Sequence, residues 1–235
     1  MQNRVYVSYA KRGRENYQQG LPRLAASILA HDPTAQARFV CPEFQTGAQL
    51  TPTASIVDWE VPPHAQIPYG FKPAIMGQAF SLASTVMWCD STITLQADPS
   101  ALFQKAEHNG VVVFANPGCP MAHWTTDDCL ETIGCPQDKA KTLDQIMACA
   151  IIIDYSHPIG KMVFDRWQAH ALDGVSFNGG RRSNRLDFRD HRHDQSVLTW
   201  VCYSCGITPE PYGALCYYGD REKFSAIFTN QGLYQ

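Results

Sequence analysis

The chain reads as an α/β protein in which a mixed, mainly parallel sheet is flanked by helices in a single domain. Three observations predict this class. Apolar segments of strand length alternate with segments of helical period, the order that parallel sheets require. Apolar residues make up 45% of the chain and charged residues 17%, so a sizeable interior is available and general disorder is excluded. The length of 235 residues suits one large core.

The elements follow in order. Residues 4–9 are apolar and β-favouring and predict a first core strand, and the polar, glycine-bearing stretch 10–20 reads as a loop. Leu21, Leu24, Ala25, Ile28 and Leu29 recur at helical spacing, Pro22 fits the first turn, and Asp32-Pro33 ends the helix. Residues 37–41 predict a second strand, and 42–68, rich in Pro, Thr and Gln, read as a long surface loop. Tyr69-Gly70-Phe71-Lys72-Pro73 enters a helix with Ile75, Met76, Ala79, Phe80 and Ala83 on one side. Residues 85–89 form a strand closed by Asp90-Ser91-Thr92; 99–108 are helical, 110–115 form an apolar strand, and a loop covers 116–120.

The second half is less regular. Hydroxyls and acids over 125–131 suit a helix start. Residues 148–153 predict a buried strand, and 158–172 a helix packed through Met162, Val163, Phe164 and Trp167. A glycine- and arginine-rich loop follows. The last helix, 194–205, carries Val197, Leu198, Val201, Cys202 and Cys205 on one side. Cys202 and Cys205 therefore pack as small hydrophobes, and no second pair completes a zinc set.

Nineteen basic against 22 acidic residues leave a net charge of −3, which excludes a surface basic all over. The densest apolar run, residues 147–153, is far shorter than a bilayer span, and the first residues have no secretion signal. Nine scattered cysteines fit reduced thiols, and the expected location is the cytoplasm.

Several residues are candidates for chemistry. Asp90 follows an apolar strand, where ligands of open α/β sheets collect, beside the hydroxyls of Ser91 and Thr92. There it holds a divalent ion or a ribose hydroxyl, or it simply closes a turn. Five arginines lie between 181 and 192 in a segment made mobile by Gly179 and Gly180. Arg181 and Arg182 suit a diphosphate, and a solvated loop is the alternative. Asp194 reads as a helix cap, and in a cluster with His191, His193 and Gln195 also as a proton acceptor or an orienter of a sugar hydroxyl. His123 and Trp124 suit stacking on an acceptor ring, or anchoring of a loop.

The order of Tyr69-Gly70-Phe71-Lys72-Pro73, Trp88-Cys89-Asp90-Ser91-Thr92, Trp124-Thr125, Gln145-Ile146-Met147, Phe177-Asn178-Gly179-Gly180 and His191-Arg192-His193-Asp194-Gln195-Ser196 resembles a family of small GT-A type glycosyltransferases of bacteria and their viruses. The resemblance covers residues 4 to about 206 and implies a GT-A-like, Rossmann-type sheet. It implies a nucleotide-diphosphate sugar, UDP-linked, as donor, with residues 1–115 as the donor-binding half and 116–235 as the acceptor-binding half. Ser8 and Tyr9 would lie near the base, Lys72 near the phosphates with Ser91, Thr92, Arg181 and Arg182, and Asp90 at the metal position for Mn2+ or Mg2+. Asp194 would act as base or position the sugar, and His123, Trp124, His191, His193 and Gln195 would meet the acceptor, a glycan or a hydroxymethylated base in phage DNA. The sequence departs from the family at Thr92, where a second aspartate is expected, and no histidine follows His193. A non-catalytic module that binds nucleotide or carbohydrate is the alternative. The functional reading requires positions 72, 90 and 194 to meet in space.

Overall fold

The computed structural model describes residues 4–11, 15–179 and 183–231. Strand β1 (Arg4–Tyr9) leads into helix α1 (Glu15–His31), β2 (Gln36–Val40), β3 (Gln49–Thr51), β4 (Ala54–Ile56) and helix α2 (Phe71–Ala79). Then come β5 (Thr85–Cys89), β6 (Ile93–Leu95), α3 (Ser100–Asn109) and β7 (Val111–Pro120). The 3-10 turn Met121–Trp124 precedes α4 (Asp127–Thr132), α5 (Gln137–Thr142), β8 (Asp144–Asp154), α6 (Pro158–Leu172) and α7 (His193–Ser204). Strand β9 (Leu215–Tyr217) and β10 (Phe228–Asn230) end the described chain.

The central sheet has seven strands in the order β3-β4-β2-β1-β5-β8-β7. Strand β1 pairs in parallel with β2 and β5, and β2 with β4. Strand β8 inserts antiparallel between β5 and β7, so only β3 and β8 run against the rest. The sheet is therefore mixed and mostly parallel, as expected. Alternate residues of each strand enter different layers: Val5, Val7, Val86 and Trp88 pack with α2, α6 and α7, whereas Tyr6, Met87 and Cys89 pack with α1 and α3. At the amino end of β1, Asp32 accepts from Arg4 at 2.5 Å and from the Tyr6 hydroxyl at 2.8 Å, a buried pair that ties α1 to the sheet.

Four expectations change. Helix α1 begins at Glu15, inside the expected loop, so Pro22 lies within the helix and removes the bond its amide would give Gln18. Packing overrides that local loss: Gly20 presses on the end of β5, and a Cβ there would stand 2.1 Å from the Ser91 carbonyl oxygen. Residues 42–68 are not a plain loop, because β3 and β4 extend the sheet edge beyond β2. Residues 116–120, expected as a loop, continue β7 along β8, with Pro120 opposite Asp144. A second sheet, β6-β10-β9, was not expected; it forms because Ile93–Leu95 finds its partner more than 130 residues later.

Gly20→Ala forces α1 away from Ser91. The expected loss is about 1–3 kcal/mol, the usual range for overpacking, read as a lower urea midpoint at unchanged m-value.

Candidate functional site

Three elements bring three charged side chains to one point. Lys72 is the second residue of α2, Asp90 follows β5, and Asp194 is the second residue of α7. Lys72 Nζ lies 2.9 Å from Asp194 Oδ2 and 3.3 Å from Asp90 Oδ1, and it donates to the Ala148 carbonyl of β8 at 2.8 Å. The side chains of Lys72 and Asp194 are 5% and 4% exposed, that of Asp90 32%. Positions 72, 90 and 194, remote along the chain, thus meet.

Their electrostatics follow from burial and proximity. Burial alone would lower the Lys72 pKa; Asp194 and then Asp90 outweigh it and hold the ammonium above the ordinary lysine range. Burial raises the Asp194 carboxyl, and Lys72 opposes that rise. Asp194 Oδ2 is held by the Lys72 ammonium at 2.9 Å as a buried ion pair. Ser91 Oγ is buried without a partner among the described residues. An unsatisfied oxygen at the wall of a cleft marks a place where a ligand's polar group fits.

The cleft has two lobes that share Tyr69, Lys72 and Asp90. The first, about 180 Å³, is aromatic: Tyr9, Tyr17, His64, Tyr69, Phe71 and Trp88 line it, with Lys11 and Ser91. Tyr9 and Phe71 stack at 4.4 Å and 29°. Trp88 and Asp90 lie two residues apart at the end of β5, hence on one side, and Trp88 Nε1 donates to Asp90 Oδ1 at 2.7 Å. The second lobe, about 380 Å³, is polar and includes Asn116, Cys149, Asp190, Arg192, His193, Gln195, Tyr217 and Asn230.

Two residues at the shared wall have backbones in the left-handed region, Tyr69 at φ 60° and His193 at φ 46°. Such conformations cost about 1–3 kcal/mol outside glycine and persist where packing dictates them. Here the Tyr69 amide donates to His64 Nδ1 at 3.1 Å, the Tyr69 and His193 rings meet at 5.4 Å, and His193 Nδ1 lies 2.7 Å from the Phe177 carbonyl. A carbonyl only accepts, so that Nδ1 carries a proton and donates. His191 Nε2 likewise donates to Ser176 O at 2.9 Å, and its Nδ1 accepts from the Thr126 amide at 3.4 Å. Gly179, at φ +33°, passes so close that a Cβ would stand 2.0 Å from His191 Cδ2. Burial, with His193 adding to it, lowers the His191 pKa to about 4.

Helix α7 is seated by a polar chain. Gln195 donates to Gln145 Oε1 at 2.9 Å, Gln145 to Ser196 Oγ at 3.2 Å, and Ser196 to the Trp124 carbonyl at 2.7 Å. Trp167 Nε1 donates to the Asp194 carbonyl at 3.2 Å. Asp194 does not cap the helix: Arg192 holds the cap position without a side-chain bond, and the carboxylate turns to Lys72.

Of the residues singled out from sequence, Tyr9, Lys72, Asp90 and Ser91 line the aromatic lobe, and His191, His193, Asp194 and Gln195 the polar one. Ser8 and Thr92 are buried and line neither lobe. His123 and Trp124 also lie outside both; Arg192 and Arg189 stack over Trp124 at 4.5 and 5.8 Å. Arg181 and Arg182 fall outside the described residues. Of the rest of the arginine tract, Arg189 and Arg192 are exposed and Arg185 is half-buried. Arg185 pairs with Asp127 and donates to the carbonyls of Ala122 at 2.5 Å and Thr125 at 2.6 Å, and the amides of Arg189 and Arg192 donate to the carbonyls of His123 and Trp124. Sequence reading missed His64, Tyr17, Tyr217 and Asn230, which reach the cleft only through tertiary folding. The pair Tyr69-x-Phe71 and the spacing of Trp88 from Asp90 were the available signals.

The residues present do not fit a divalent ion. Among the described residues no group of three or more His, Cys, Asp or Glu could hold one. Asp90 Oδ1 is engaged by Trp88, and the Lys72 ammonium stands between the two carboxylates.

A parallel-stranded core with one inserted antiparallel strand and a cleft at the strand ends matches solved structures. The fold is that of GT-A glycosyltransferases. The galactosyltransferase LgtC, solved in complex with donor and acceptor sugar analogues, superposes with a TM-score of 0.54 at 12% identity over 96% of this chain and 86% of its own. An active-site mutant of LgtC gives 0.53 at 12% identity with the same coverage. The bifunctional glycosyltransferase WbbM in its apo form gives 0.56 at 14% identity, covering 97% of this chain and 45% of its own. No protein-family model and no curated protein matches the sequence significantly.

Lys72→Met leaves Asp194 buried without its counter-charge, and the expected loss is about 3–5 kcal/mol in urea unfolding. Adding Asp194→Leu to that variant removes the stranded carboxylate and restores most of the loss. His191 supplies a pH test. Its folded pKa lies below the unfolded value, so stability is full above about 6.5 and declines as pH falls toward 4, by on the order of 3 kcal/mol. In His191→Gln the stability at pH 7 is lower, but the decline between pH 6.5 and 4 is shallower, as measured by urea midpoints across that range.

Proposed function

We propose that the protein is a glycosyltransferase that moves a sugar from a nucleotide-diphosphate donor to a hydroxyl of a glycan acceptor. One observation carries this reading: the Lys72, Asp90 and Asp194 cluster stands where an aromatic lobe and a polar lobe meet, in a GT-A fold. LgtC, of the same fold, was solved with donor and acceptor sugar analogues.

The aromatic lobe suits a nucleobase, stacked on the Tyr9 and Phe71 pair, with a UDP-sugar as the donor to test first. The diphosphate would then extend toward Lys72, and the orphan oxygen of Ser91 would accept a donor hydroxyl. The polar lobe suits a sugar, because Asn116, Gln195 and Asn230 offer amides that match hydroxyls and the half-exposed Tyr217 offers a ring face. A hydroxymethylated base in DNA fits less well: Arg185 is held by Asp127, and Trp124 is covered by arginines and lies outside the cleft.

In the transfer, the acceptor oxygen bonds to the anomeric carbon and the bond from that carbon to the phosphate oxygen breaks, the electron pair leaving with the diphosphate. Asp194, ion-paired and buried, fits a positioning role better than proton transfer. His193 lines the polar lobe with its Nδ1 turned to the Phe177 carbonyl, and its Nε2 is the better placed acceptor for the hydroxyl proton.

Calorimetry with UDP-glucose, combined with release of UDP in the presence of a glycan panel, tests the reading. Phe71→Ala is expected to weaken nucleotide binding about ten-fold, the scale of one lost stack. Asp90→Asn is expected to lower kcat/KM at least about 100-fold with unchanged circular dichroism. Binding with no turnover on any acceptor would establish the non-catalytic module instead.

A further inference from the structure

We propose that the cleft takes its nucleotide sugar without a divalent cation, because two lysine ammoniums, those of Lys72 and Lys11, supply the positive charge that such an ion would bring. This inference rests on the functional reading above and concerns how the same site handles the diphosphate.

A diphosphate that enters beside Asp90 and Asp194 meets two carboxylates already in place, so two positive charges are needed to offset those carboxylates before it arrives. One divalent ion would bring two. Lys72 and Lys11 also bring two, and both line the aromatic lobe. Lys72 is built in: it sits inside the protein on three oxygens, those of Ala148, Asp194 and Asp90, at 2.8, 2.9 and 3.3 Å. Those three oxygens match the three donors of the ammonium and fix it as a positive point at the wall of the lobe.

A metal would also require ligands from the protein. The position after Asp90-Ser91, where a second acid would complete an ion site, is Thr92, which is buried and turned away from both lobes. Asp194 is committed to Lys72, and Asp90 shares one oxygen between Trp88 and Lys72. A magnesium or manganese ion would have to displace the ammonium or bind beside it with the second oxygen of Asp90 as its one protein ligand, the rest of its shell falling to waters and phosphate oxygens. The ammonium is the resident cation of this site.

The test uses the whole chain freed of metal with EDTA. Binding of UDP, UDP-glucose and GDP-mannose is measured by calorimetry in EDTA and again in 1 mM Mn2+, and the amplitude of the free Mn2+ resonance signal is followed as protein is added. The proposal expects affinities that agree within about two-fold with and without Mn2+, and a free-ion signal that the protein does not diminish. Lys11→Met is expected to weaken UDP binding about ten-fold in EDTA. Lys72→Met, if it folds, bares the two carboxylates, and its UDP affinity is expected to become Mn2+-dependent. Binding by the unaltered protein only when Mn2+ is present, or depletion of the free-ion signal at one ion per chain, would overturn the proposal and leave the glycosyltransferase reading in place. Absence of nucleotide binding under both conditions would overturn the proposal and that reading together, so the two failures are distinct.

Discussion

A lysine ammonium enclosed by two carboxylates and a main-chain carbonyl is the constraint on which the site depends. Its four participants come from α2, the end of β5, β8 and α7, so one contact sets the relative position of elements that carry most of the cleft wall. Ion clusters of this kind are weak sources of stability, since apolar residues of similar volume often serve as well. What the cluster supplies is position and sign: one positive point held at the junction of an aromatic and a polar compartment. The polar chain from Gln195 through Gln145 and Ser196 to Trp124, and the Trp167 bond to the Asp194 carbonyl, hold α7 in place so that this point does not drift.

The sheet explains why the cluster has that address. Strands β1 and β5 are parallel neighbours and end together, which places Tyr9 and Asp90 side by side at the edge of the crevice where such sheets take ligands. Strand β8 enters antiparallel beside β5, so its middle, not its end, passes the same spot and offers the Ala148 carbonyl to Lys72. Helix α2 returns over β1 and β5 and delivers Phe71 to Tyr9 and Lys72 to the acids in consecutive positions. The stacking surface and the charge are thus fixed by adjacent residues of one helix turn.

Much of this framework was legible along the chain. Strands β1 and β5 and helices α2, α6 and α7 announce themselves because apolar content and period decide them locally. Strands β3 and β4 did not, because three-residue strands at a sheet edge form through pairing with β2 and leave little trace in composition. The small sheet was hidden for the same reason: β6 is specified by Phe228–Asn230, far along the chain, and it brings Tyr217 and Asn230 to the cleft. Asp194 shows the opposite problem. Its local signal is that of a helix cap, and only the arrival of Lys72 from another helix redirects it. The arginine tract gives its charge in composition but not its partners, and Arg185 finds three of them within the 122–127 segment.

The left-handed backbones of Tyr69 and His193 carry a consequence for any effort to harden this molecule against heat. Glycine or asparagine would relax either dihedral, and a search guided by thermostability alone would favour such exchanges. Each would delete a ring from the partition between the two compartments. Robustness and performance therefore pull in opposite directions at these two positions, and libraries screened only for melting behaviour would enrich sturdy but idle proteins.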